Sequence, residues 1–255
     1  MMTGCRRRLI GLAIAVAVST VGGGVAEAVV LTATDLEQFL GLPDQELTNF
    51  NNGPAVQGSA LQREFTAAAG SVLSFNFNFL TNEPMEFPGT TINDFAFVTI
   101  TSTTGTSILA PFQLADVAGS NFPLVSSSTR FASETGFRTF TSSALAAGTY
   151  RLAVGVVNVT DELGESGLLI DNLALSTGSL TNGGFESGNF SGFTVFGEAR
   201  IVGANFGSIA PGGGTSQALL TTVNAVPEPS SLALAGMGVA GLAGFGWCRR
   251  KRSAA

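Results

Sequence analysis

The sequence predicts an all-β fold, a single jelly-roll-like β-sandwich. Three observations carry that expectation. Runs that alternate apolar and polar residues recur at strand length, Gly, Ser and Thr fill the segments between them, and only one short stretch has helical signals. That stretch is residues 33–40, with Thr34 as the expected N-cap. Residues 71–79 then alternate, with Leu73, Phe75, Phe77 and Phe79 on one face and Ser74, Asn76 and Asn78 on the other. This is the period of a half-buried strand. Residues 95–100, 149–159 and 168–175 are further strands; the last two are apolar on both faces and read as central. Pro88-Gly89 breaks the approach to one strand, and Gly148 precedes another.

Both ends of the chain differ from this middle. At the N-terminus, Arg6-Arg7-Arg8 precedes an apolar run at residues 9–18, and Ala26-Glu27-Ala28 is a small-x-small cleavage site. Residues 1–28 therefore read as a signal peptide, cut after Ala28, that hands the chain to the export machinery. At the C-terminus, residues 223–231 form a linker containing Val226-Pro227-Glu228-Pro229. Residues 232–247 are apolar or small, and Arg249, Arg250, Lys251 and Arg252 follow. Sixteen residues at ~1.5 Å each span ~24 Å, a little less than a ~30 Å hydrocarbon core. Five glycines make this a poor helix in water, yet lipid tolerates them because no solvent competes for the backbone bonds. The basic cluster acts as a cytoplasmic stop. Residues 232–255 are thus a transmembrane segment with a basic tail.

Composition narrows the function. The two cysteines, Cys5 and Cys248, lie in the terminal segments, so disulfides do not hold the middle together. Between residues 29 and 229 there are 17 acidic residues and 5 arginines, a net charge of −12 against −6 for the whole chain. Such a surface repels nucleic acid and anionic lipid and favours divalent cations, so no nucleic-acid partner is expected.

The order of short polar motif, apolar span and basic stop resembles the PEP-CTERM sorting tail of Gram-negative bacteria. That resemblance implies a membrane enzyme of the exosortase type as partner, cutting near residues 227–229. The exported product would lie on the cell surface, in the outer envelope or in the extracellular matrix.

A second resemblance lies in the middle. Phe79-Leu80-Thr81-Asn82-Glu83, Asn93-Asp94-Phe95-Ala96-Phe97-Val98 and Gly167-Leu168-Leu169-Ile170-Asp171-Asn172-Leu173 are similar to a sandwich domain of exported bacterial proteins that carry this tail. Asn182-Gly183-Gly184-Phe185-Glu186 with Ser191-Gly192-Phe193 resembles the opening strand of galactose-binding-like jelly rolls, including many carbohydrate-binding modules. In those domains the opening motif comes first; in this chain it follows the closing strand. Residues 29–222 then form one circularly permuted sandwich, 29–176 the main part and 182–222 the opening strands. On this reading residues 168–175 and 184–186 pair as a local hairpin. The alternative is a tandem array whose second copy is truncated.

The absence of histidine and of mature-chain cysteine removes the usual general base, the thiol nucleophile and the commonest zinc ligand. No enzyme is expected. Paired acids for a glycosidase, Glu83 with Glu86 or Asp161, Glu162 and Glu165, sit in loop-like stretches where solvated carboxylates are the ordinary explanation. Calcium, which takes hard oxygen ligands, is the cofactor these acids suit. The jelly-roll resemblance implies Asp171 and Glu186 as structural calcium ligands, and Glu83, Asn93 and Asp94 form a second candidate set. For sugar, the mature chain lacks tryptophan, and Tyr150 falls in an apolar strand. Phe87 and Phe122 remain as loop platforms. The expectation is a surface or matrix protein acting by placement and adhesion, with extracellular polysaccharide as partner. The rivals are a calcium-dependent carbohydrate-binding module and, further off, a glycosidase.

Overall fold

In a computed structural model of the chain, residues 31–50, 53–84, 92–105 and 107–222 are described. The expected signal peptide with Ala26 and Ala28, the segment holding Glu86 and Phe87, the Val226–Pro229 motif and the apolar span with its basic tail lie outside them.

The helix α1 is Ala33–Leu40, and its N-cap is Thr32, not Thr34. The reason is Asp35. Thr32 accepts a hydrogen bond from the Asp35 N–H while the Asp35 carboxylate accepts one from the Thr32 N–H, a reciprocal box that fixes the start. Gly41, at φ 72°, ends the helix in the left-handed conformation that glycine adopts without strain. A single 3-10 turn, Thr48–Phe50, follows.

Among the described residues, twelve strands come next. They are β1 Ala55–Ala67, β2 Leu73–Thr81, β3 Phe95–Ser102, β4 Ser107–Asp116, β5 Val125–Ser126, β6 Ser133–Glu134, β7 Arg138–Thr141, β8 Gly148–Val159, β9 Ser166–Leu175, β10 Thr194–Phe196, β11 Glu198–Gly203 and β12 Ser216–Thr221. One sheet has the order β10-β1-β8-β3-β4; the other runs β11-β12-β9-β2-β6-β5, with β7 also paired to β2. The molecule is an all-β sandwich of two antiparallel sheets. As expected, β8 and β9 are central, each flanked on both sides.

The alternation read in β2 places Leu73, Phe75, Phe77 and Phe79 between the sheets. They meet Leu61 and Phe65 of β1, Val98 and Ile100 of β3, and Val154 and Val156 of β8. Tyr150 is in this core, its ring 5.7 Å from Phe65 and its hydroxyl donating to the Ala146 carbonyl at 2.9 Å. Two smaller clusters cover outer faces. Leu36 and Leu40 of α1 with Leu47 sit on Ala60, Phe97 and Val157, while Phe131 and Ile209 from loops sit on Leu80, Leu169 and Leu219. Each sheet is therefore sealed on part of its outer face as well, which lets strands be apolar on both sides.

Residues 182–222 belong to this body, giving β10 to one sheet and β11 and β12 to the other. The expected hairpin between residues 168–175 and 184–186 does not form, and β12 is the neighbour of β9 on that side. Asn182 at φ 57° and Phe185 at φ 58° are left-handed, which breaks an extended strand. The Asn182 amide instead donates to the Asn189 and Ser191 carbonyls and winds the segment into turns. One backbone bond, from Leu173 N–H to the Gly183 carbonyl, ties it to β9. Arg63, buried on the inner side of β1, donates to the Thr181 carbonyl at 3.0 Å and lies 4.7 Å over the Phe193 ring, holding the segment from the other sheet.

Candidate functional site

The strands bring the sequence candidates to two places. The first is the pole where β8 ends and β9 begins. Asp94, just before β3, is buried, and its Oδ1 accepts the Val159 N–H at 2.9 Å. Its Oδ2 accepts the Ser166 hydroxyl at 2.6 Å. The Ser166 and Thr81 hydroxyls lie 2.9 Å apart, and Thr81 Oγ1 accepts the Glu83 N–H at 2.9 Å. Glu83 is buried too, its carboxylate against the turn at Gly164, where any Cβ would lie 1.9 Å from Oε1. Only glycine fits there, and φ is +72° as well.

Burial dominates the electrostatics of this pole. It pushes the Asp94 carboxyl up to about 8, against the hydrogen bonds from Ser166 and Val159 and with help from Glu83 and Asp161. It pushes Glu83 up to about 7, with Asp161 adding repulsion. The hydroxyl chain can serve either state. Ser166 donates to the ionised Asp94, and a protonated Asp94 can donate to Ser166, which then turns towards Thr81.

Asn93 does not join this group. Its amide donates to Asp116 Oδ2 at 3.0 Å and its carbonyl oxygen accepts the Ala118 N–H at 2.8 Å. It closes a loop, and the set Glu83, Asn93 and Asp94 is split. The other acids of the pole are also engaged: Asp161 accepts the Leu163 N–H at 2.8 Å, and Glu165 pairs with Arg130.

The second place is the triglycine loop. Across the β2–β9 pair, Ser74 faces Ala174 and Asn76 faces Asp171, two steps on β2 against three on β9, so β9 carries one extra residue. Asn172, at φ 54°, absorbs it. Asp171, fully buried, accepts the Asn172 N–H at 2.7 Å and the Gly213 N–H at 2.9 Å. Burial raises its pKa against these bonds, and Glu186 adds to the rise. Glu186 accepts the Thr215 hydroxyl at 2.8 Å and the Thr215 and Ser216 N–H groups at 2.9 and 3.0 Å; these bonds lower its pKa. Asp171 and Glu186 thus flank one loop. A Cβ at Gly214 would lie 2.2 Å from Glu186 Oε1, and one at Gly213 2.4 Å from Asn172 Oδ1. Three consecutive glycines let the backbone donate to both carboxylates at contact distance. Among the described residues, no group of three or more His, Cys, Asp or Glu side chains is arranged to hold a metal.

Of the aromatic candidates, Phe122 is half-buried against Phe77, 6.0 Å between rings, and Arg138 lies 4.9 Å over its ring. Arg138 thus covers one face of its ring. A cleft the sequence did not disclose opens between β4 and β7, with Phe112 half-exposed at its mouth.

The last described residue, Thr222, lies at the first of these places, the acidic pole. Its N–H donates to the Ser166 carbonyl at 2.9 Å, and the Ser59 hydroxyl holds the Thr221 carbonyl at 2.6 Å. Among the described residues no helix is long and apolar enough to cross a membrane. Compared with protein families, residues 225–251 match the PEP-CTERM protein-sorting motif. No curated protein and no solved structure matches the chain significantly. The motif marks an exported protein that exosortase, a membrane enzyme, processes. Residues 223 and 224 lie between it and Thr222, the last described residue.

Proposed function

We propose that this chain is a displayed structural protein of the cell surface or extracellular matrix, acting by placement and adhesion and not by catalysis. The observation that carries the reading is the sorting motif at residues 225–251, which begins three residues beyond Thr222, itself bonded to Ser166 of the sandwich. The tail sets the address, and the sandwich is the cargo delivered there. The candidate acids support a non-enzymatic role. Asp94, Asp171 and Glu186 each accept at least two hydrogen bonds from the chain itself, Asp161 and Glu165 are held, and Glu83 is packed on Gly164. Acids used this way hold loops and strand ends in register.

Intact-mass measurement and C-terminal peptide mapping of the native protein from envelope and medium fractions test this. Chains that end near residues 226–229 in the outer envelope or medium are expected. A chain ending at Ala255 in the inner membrane overturns the displayed-protein reading.

A further inference from the structure

We infer that the cleft between β4 and β7 is a binding site for a neutral pyranose sugar. The inference supplies the ligand class for the adhesive role proposed above and rests on it. The cleft has a volume of about 220 Å³. Its floor is apolar, with Phe140 and Leu145, and its mouth carries Ile108 and Phe112, 48% and 49% exposed. The Phe112 and Phe140 rings are 6.2 Å apart at 50°, and Phe140 rests 5.0 Å from Phe75, so one wall is fixed to the core.

Polar residues line the cleft as well. Thr141 and Ser143 are exposed, and their hydroxyls make no hydrogen bond among the described residues. β4 is an edge strand, so one row of its backbone groups has no partner strand. An exposed ring and uncommitted hydroxyls in one lining suit a ligand with a C–H face and an O–H edge, the two-sided chemistry of a pyranose. None of the nine lining residues is ionisable. Between residues 29 and 229 the net charge is −12, so an acidic polysaccharide is repelled and a neutral one is not.

Two further observations argue against other occupants. A strand from a second copy or a peptide would pair along β4, but Pro111 interrupts its donors and the β3–β4 register shifts three times. Both devices blunt an edge. The cleft also lies towards the end of the sandwich away from Thr222. It is built where β3 pairs with the start of β8, whereas Thr222 sits beside Ser166 at the start of β9. A chain attached through its tail presents this cleft outward.

The test is isothermal titration of the full chain, in a detergent without a sugar headgroup, against maltohexaose, cellohexaose, xylohexaose and polygalacturonate. At least one neutral hexasaccharide is expected to bind, with chelator making no difference. Phe112→Ala is expected to weaken it about tenfold, the loss of one ring platform, and Phe112→Tyr to retain it. Ser143→Tyr, an exposed change that fills the mouth, gives an independent reading should Phe112→Ala lower the melting midpoint. Binding of none of the three, equal binding by Phe112→Ala and Ser143→Tyr, or tightest binding of polygalacturonate overturns the site. These results are read on purified protein, so they are separable from where the cell places it.

Discussion

Ser166, the first residue of β9, donates its hydroxyl hydrogen to Asp94 Oδ2 at 2.6 Å, and Asp94 stands at the entrance to β3. The bond joins the two sheets at the pole from which the sorting tail leaves. Asp94 also accepts the N–H of Val159, the last residue of β8, so one carboxyl holds three strand ends.

That position makes stability depend on pH in an unusual direction. In the fold Asp94 titrates near 8 and Glu83 near 7, against ordinary values of 3.8 and 4.5. Folded chains therefore keep these protons where unfolded chains lose them. The contribution is full below the unfolded values and is lost as pH rises towards 7 and 8. The expected result is a melting midpoint that climbs as pH falls from 8 to 6, by about 1–2 kcal/mol of stability from Asp94. Asp94→Asn, neutral at every pH, flattens most of that slope. A midpoint that is flat or falls over the same interval in the wild-type chain removes the buried-acid account.

Glu37 offers a second test. It is buried under α1 and accepts the Gln45 N–H at 2.9 Å and the Leu47 N–H at 2.8 Å. Those bonds fold the loop after the helix, and Leu47 then fills the cluster with Leu36 and Leu40. Glu37→Ala leaves two backbone donors unsatisfied, and the loss expected from denaturant unfolding is about 2 kcal/mol. Glu37→Gln keeps one acceptor and loses less. Equal midpoints for the two variants would mean that water satisfies the freed N–H groups.

The segment 182–222 gives a third. Its strand β12 supplies Ala218 and Leu220 to the core and pairs with central β9 over Gly167–Ile170. Without it β9 becomes an edge and Leu168, Leu169 and Ile170 lose their cover on that side. Residues 29–178 alone are expected to show no cooperative melting transition. A stable fragment with native-like far- and near-ultraviolet circular dichroism would show that the segment is dispensable. Gly183→Ala tests the same docking more gently. Its Cβ would lie 2.0 Å from the Leu173 carbonyl oxygen, and about 1–3 kcal/mol of strain is expected.

How much of this was legible follows from where each signal resides. β2 was legible because its four apolar residues alternate against Ser74, Asn76 and Asn78. β8 and β9 were legible as central because both faces are apolar, and in the fold both faces are covered. β1 was missed. Its sequence mixes Gln57, Ser59, Gln62, Arg63 and Glu64 with few large apolar residues, and Gly58 occupies a site where Val156 O comes within 2.4 Å of any Cβ. Such a strand is selected by long-range pairing with β8, which a local pattern does not contain. β10, β11 and β12 were anticipated only as a block by resemblance. The hairpin assigned to it failed because two left-handed residues turn the chain. For the sites, proximity of Asp171 to Glu186 was legible through their motifs. Their actual donors, Asn172, Gly213, Thr215 and Ser216, are mostly backbone N–H groups, which residue type does not disclose. The cleft at Phe112 was invisible because Phe112 and Phe140 come from different sheets.

The glycine loop provides the last test. Glu186 takes two N–H groups and a hydroxyl from Thr215 and Ser216, and Asp171 takes the Gly213 N–H, so the loop is latched at both ends by oxygens that a cation would otherwise use. A Cβ at Gly214 would meet the Glu186 carboxylate at 2.2 Å, and φ there is +61°. Gly214→Ala therefore breaks the latch from the loop side, and Glu186→Gln weakens it from the acid side by removing the charge that strengthens its hydrogen bonds. Both variants are expected to lower the melting midpoint and to speed amide exchange at Gly213, Thr215 and Ser216. The double variant should lose little more than the worse single one, because each removes the same contact. Chelator is expected to leave the wild-type midpoint where it is. If instead calcium raises the midpoint, and Glu186→Gln abolishes that rise, the two acids hold a cation and the backbone donors give way to it.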